Sequence, residues 1–120
     1  MRQMVRSFRD AFAGLFYCFA TQRNMTIHAA IGAAVLLLAF VLKVPLLEML
    51  FLLTAAAAAL IAEAFNTALE KAVDVATREK NDLAHIAKDV AAGAVLLTSV
   101  YAAVVVVIIL GPRLWRLLLR

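Results

Sequence analysis

The 120-residue chain is 66% hydrophobic with a mean hydropathy of +0.96, against roughly 45–50% apolar residues in soluble domains, so water is not its main solvent and one domain uses its whole length. Its net charge of +4 comes from lysines and arginines scattered at the ends of apolar runs rather than grouped with aromatics on one face, which fits anionic lipid headgroups and argues against nucleic acid as a partner. The single Cys18 excludes an intrachain disulfide and a thiolate metal cluster, and no linker, low-complexity tract or internal repeat interrupts the chain.

Residues 1–22 place Met4, Val5, Phe8, Phe12, Leu15, Phe16 and Phe19 at spacings of three and four, while Arg2, Arg6, Arg9 and Asp10 fall largely elsewhere. This predicts an amphipathic helix in the membrane interface, although a short helix docked on other helices would carry the same pattern. Charges break the segment up and no apolar run precedes Arg23, so a cleavable signal is not expected.

Residues 24–42 predict a first span: nothing from Ala29 to Leu42 is charged, and Ile27 and His28 extend the stretch backwards. Lys43-Val44-Pro45 closes it with a turn. Residues 46–76 predict the second, with only Glu48 charged before Ala62. Its helical period continues past Glu63 through Phe65, Leu69, Ala72 and Val75, so this helix should run on out of the hydrocarbon. Thr77 to Asp89 is polar and predicts a loop. The third span, residues 88–110, rests on the 21 uncharged residues from Val90 to Leu110, and Gly111-Pro112 is expected to end it. Arg113, Trp115, Arg116 and Arg120 then form an aromatic-plus-basic interfacial anchor.

The expected fold class is therefore all-α integral membrane, an N-terminal amphipathic surface helix plus three transmembrane helices in a single domain over residues 1–120. Three spans put Arg2, Arg6, Arg9, Arg23, Lys71, Arg78, Lys80 and Lys88 on one side, and Lys43, Arg113, Arg116 and Arg120 on the other. Eight against four directs the N-terminus and the polar loop to the cytoplasm.

At about 100° per residue, Glu63, Asn66, Glu70 and Asp74 project at roughly 0°, −60°, −20° and +20°, on one face of the second span. A face with three carboxylates and an amide is costly beside lipid, so it must meet water, cations or a partner chain. Glu70 and Asp74 could also be a solvated helix end paired with Lys71, Arg78 or Lys80; Glu63, after a long apolar stretch, fits that reading poorly. Closely spaced carboxylates repel unless a cation sits between them or one stays protonated. In the first case a hard ion such as Mg²⁺ brings nucleotide phosphates with it, and in the second a carboxylate can act as a general base towards an alcohol. Lys88 and Asp89 return close to this face, where a lysine can neutralise phosphate charge. The four isolated glycines make no phosphate-binding loop and no dinucleotide fingerprint, and His28 and His85 lack metal-ligand spacing.

The stretch Glu63-Ala-Phe-Asn66-Thr-Ala-Leu-Glu70-Lys-Ala-Val-Asp74, followed by Ala87-Lys88-Asp89-Val-Ala-Ala-Gly93-Ala-Val-Leu-Leu, resembles the signature of the bacterial diacylglycerol kinase and undecaprenol kinase family. The likeness extends from Ser7-Phe8 and Ala11-x-x-Gly14 to the third span. It implies a homotrimeric helical bundle with composite sites between neighbouring subunits, in a bacterial cell membrane, and MgATP as phosphoryl donor to a membrane lipid. On the matching positions it makes Glu63 the general base for the lipid hydroxyl and Glu70 a magnesium ligand, with Asn66, Asp74, Lys88 and Asp89 around the nucleotide and its metals. Gln22 departs from the pattern, which has a metal-ligating glutamate there; an amide offers one neutral oxygen and no charge. Arg23-Asn24, His28 and the Val-Ala-Ala-Gly93 run resemble the polyprenol branch, which implies undecaprenol as acceptor, with diacylglycerol as the alternative. Two other readings stand beside a lipid kinase. One is a low-activity relative that binds nucleotide, suggested by Gln22; the other is an ion-binding oligomer, which would explain Glu63 but gives no reason for Lys88-Asp89.

Overall fold

A computed structural model describes residues 1–119, so Arg120 of the expected basic tail lies outside the described residues. The chain folds as four helices, α1 (Arg2–Thr21), α2 (Arg23–Val41), α3 (Leu46–Ala76) and α4 (Asp82–Leu118). The last three are each long and apolar enough to cross a membrane, as befits a membrane protein. α3 is the central element, with α2 and α4 packed on it and α1 making a smaller contact with α2 and α3.

The first two spans begin and end within a residue of expectation, but the third differs at both ends. Thr77–Asp89 is not a loop throughout: α4 already begins at Asp82. The reason is local, because the Asn81 side-chain oxygen accepts from the backbone N–H groups of Leu83 and Ala84 at 2.9 and 3.1 Å, capping donors that the first turn leaves unpaired. At the other end α4 does not stop at Gly111-Pro112 but continues to Leu118. Proline removes one backbone donor and crowds the carbonyls one turn back. The carbonyl left without a donor is that of Ile108; beside it the Arg113 guanidinium donates to the Ile109 carbonyl at 2.6 Å and pairs with Glu48 of α3 at 2.7 Å, which ties this turn of α4 to α3.

The α2–α3 turn is a tight helix stop. Lys43 takes φ 53°, and the N–H groups of Lys43 and Val44 return to the carbonyls of Phe40 and Ala39, both at 3.0 Å. This folds Val44 under the bundle, where it joins Ala39, Leu52, Ile109 and Leu110 in the core. The apolar core thus sits where α2 ends, α3 starts and α4 ends, and the polar stretch of α3 lies at the opposite end. Apolar side chains cover much of the outer surface, including Phe8, Phe12 and Phe16 of α1 and Leu96, Leu97 and Val107 of α4.

Candidate active site

The site is built along α3, whose 31 residues reach about 46 Å at 1.5 Å per residue, well beyond the roughly 30 Å of a hydrocarbon core. Glu63 and Asn66 come first. They are buried, at 2% and 9% exposure, and Thr67 beside them is buried as well. The Thr67 hydroxyl donates to the Glu63 carbonyl at 2.9 Å, the ordinary satisfaction of a hydroxyl inside a helix. Glu63 Oε2 and Asn66 Oδ1 are inaccessible and have no hydrogen-bond partner among the described residues. An unpaired buried acceptor costs about 1–3 kcal/mol, more when charged, so both atoms call for a donor or a cation. Glu70 lies two turns beyond Glu63 on the same helix.

Further along, the Asn66 amide donates to Glu70 Oε1 across a long 3.4 Å contact. Asp74, eleven residues beyond Glu63 and outside the apolar stretch, receives a 2.5 Å hydrogen bond from Lys88 Nζ of α4. That bond, with the nearby Lys88 and Lys71 charges, holds the Asp74 carboxyl below the usual carboxylate range. Asp89 faces a different partner, accepting from His85 Nδ1 one turn back at 2.9 Å. An open groove of about 590 Å³ follows, closed by the end of α3, the 77–81 loop and the start of α4. Asp74, Glu79, Asp82 and Asp89 line it against Arg78, Lys80 and Lys88, so its own charges nearly cancel.

The expected residues therefore fall into two levels. Glu63, Asn66 and Glu70 share one stretch of helix, and Asp74, Lys88 and Asp89 line the polar mouth. Gln22, at the junction of α1 and α2, is not joined to Glu70: its amide donates to the Thr21 hydroxyl at 2.9 Å. No three His, Cys, Asp or Glu side chains converge on a common point among the described residues. The oxygen donors of Glu70 and Gln22 suit a hard divalent ion in chemical type, but one chain does not gather a complete ligand set. Thr67 was missed in the sequence; its position, next to Asn66 and one turn after Glu63, was the available signal.

Residues 9–110 match the family model described as prokaryotic diacylglycerol kinase. The chain belongs to that family. It is 43% identical over 113 residues to a diacylglycerol kinase of Synechocystis sp., covering 93% of this chain and 65% of the cyanobacterial protein, so it spans just under two thirds of that relative. It is 32% identical over 114 residues to an undecaprenol kinase of Bacillus subtilis, covering 95% of this chain and 93% of the other. The family thus contains proteins named for two different lipid alcohols.

Proposed function

We propose that this chain transfers the γ-phosphoryl group of ATP to the hydroxyl of a membrane lipid, with undecaprenol as acceptor. The observation that carries the reading is the buried Glu63 carboxylate, whose Oε2 lacks a partner while a polar groove opens three helical turns further along the same face. A lipid hydroxyl at the depth of Glu63 would donate to that oxygen and pass its proton to it as the lipid oxygen–phosphorus bond forms and the bond from the γ-phosphorus to ADP breaks. Asn66 would orient the reacting groups. Asp74, Lys88 and Asp89 would surround the nucleotide, with Lys88 exchanging part of its bond to Asp74 for a phosphate oxygen.

Glu70 and Gln22 would hold Mg²⁺, which when bound supplies the positive charge that the nearly neutral groove lacks. Because one chain gathers too few ligands, the working form is a homotrimer in which a neighbouring subunit completes the site. In this arrangement α1 lies along the membrane surface with its phenylalanines in lipid, and the groove opens to the cytoplasm of a bacterial cell. Diacylglycerol is the second reading for the acceptor, favoured by the 43% identity to a protein of that name. Undecaprenol is favoured by Arg23-Asn24 and His28, and by the polyprenol kinase of similar length.

The test is to compare initial rates on both lipids in the same detergent across a magnesium titration, for the natural chain and for Gln22→Glu. Replacing an amide by an anionic ligand should raise the rate at least about tenfold, roughly 1.4 kcal/mol of transition-state stabilisation. An unchanged rate would remove Gln22 from the metal site, and faster turnover of diacylglycerol would reverse the choice of acceptor.

A further inference from the structure

At the end of the bundle remote from Glu63, two arginines of α4 share one side of a cavity of about 420 Å³ lined by Leu42, Arg113, Arg116 and Leu117. Both are fixed by the protein. Arg113 is held by Glu48 and by the Ile109 carbonyl, and the Nε of Arg116 donates to the Pro112 carbonyl at 3.2 Å. Arg116 has no carboxylate partner among the described residues, and its two terminal nitrogens are left free to donate. Arg113 also borders a second, mostly apolar groove of about 410 Å³, which runs between α3 and α4 past Phe51, Val105 and Ile108 and has the Glu48 carboxylate, paired with Arg113, at its edge.

We propose that this end of the chain binds an anionic phospholipid, with its phosphate on Arg113 and Arg116 and one acyl chain in the Phe51–Val105–Ile108 groove. A guanidinium suits a phosphate because it offers parallel N–H donors, and the helix has already anchored these two, so little side-chain entropy remains to be lost. The depth is also right: the arginines follow the long uncharged stretch of α4, where headgroups begin. An apolar groove joined to the cationic cavity selects a lipid over free phosphate. Glu48 lies fifteen residues before Glu63 on α3, about 22 Å along the helix, so this site is separate from the kinase site.

Trp115, the one tryptophan of the chain, adjoins Arg116 and supplies a fluorescence signal. In neutral detergent the full chain is titrated with phosphatidylglycerol, with phosphatidylcholine of the same acyl chains, and with inorganic phosphate. Phosphatidylglycerol should bind about fivefold more tightly than phosphatidylcholine, chiefly through Arg116, because Glu48 already matches the charge of Arg113. Arg116→Gln should cut that preference to about twofold or less, while Arg116→Lys keeps an intermediate preference and Arg78→Gln, at the other end of the bundle, keeps all of it. Equal binding of the two lipids, an undiminished preference in Arg116→Gln, or saturation by inorganic phosphate at the same phosphate concentration would each overturn the proposal.

Discussion

The two ends of α3 treat charge in opposite ways. Near its start Glu48 meets Arg113 at 2.7 Å, Arg113 also serves a carbonyl beside Pro112, and Leu52, Ile109 and Leu110 pack around them. That pair is complete within one chain. Around Glu63 and Asn66 the burial is as deep, yet two acceptor oxygens have no partner among the described residues and the carboxylates beyond them line an open groove. Buried polar groups in native proteins are normally paired, so an end that leaves them unpaired is organised around something other than its own stability. The first end holds the helices together, and the second is where the proposed chemistry would take place.

Substitutions should separate these roles. The largest change in stability should come from Glu48→Ala, which leaves the Arg113 guanidinium without its counter-charge when only 24% of that side chain is exposed. Because Glu48 itself is 35% exposed, the loss should fall below that of a fully buried pair, about 2–3 kcal/mol, read as a lowered thermal midpoint in detergent with turnover per folded molecule unchanged. Leu52→Ala opens a cavity in the same cluster; because lipid competes for apolar surface, packing rather than water exclusion is lost, and about 2 kcal/mol is expected by the same measurement. At the polar end Lys88→Ala should leave the midpoint nearly unaltered, since the Asp74–Lys88 pair is partly exposed and such pairs contribute little. Its effect should instead be about tenfold weaker ATP binding, close to 1.4 kcal/mol, with lipid binding intact. Equal ATP affinity in the two proteins would remove Lys88 from the phosphate site.

Legibility in the sequence followed the range of the interactions. Glu63, Asn66, Glu70 and Asp74 could be placed on one face because helical periodicity is local, and the approach of Lys88 to Asp74 followed from the short connection between their helices. The early start of α4 was also written locally, as an asparagine and an aspartate before Leu83, although the polar composition of 77–89 obscured it. The passage of α4 through Gly111-Pro112 was not legible, because the pair that ties this turn to α3 joins Arg113 to Glu48, sixty-five residues away. Gln22 illustrates the same limit. Its type could be judged against a pattern, but its position relative to Glu70 depends on how α1 and α2 meet α3, and on any neighbouring copy.

Glu63 is where the contrast between the two ends is tested most directly. Glu63→Gln keeps the size, shape and burial of the side chain and removes the basic oxygen, so purified wild-type and variant proteins can be compared for ATP binding and for transfer of labelled phosphate to undecaprenol in the same micelles. ATP affinity and thermal midpoint should remain close to wild type while turnover falls at least about a hundredfold, the lower range for losing a general base. Near-normal turnover in the variant would contradict the account, and so would a parallel loss of folding and activity, which would make Glu63 a structural residue.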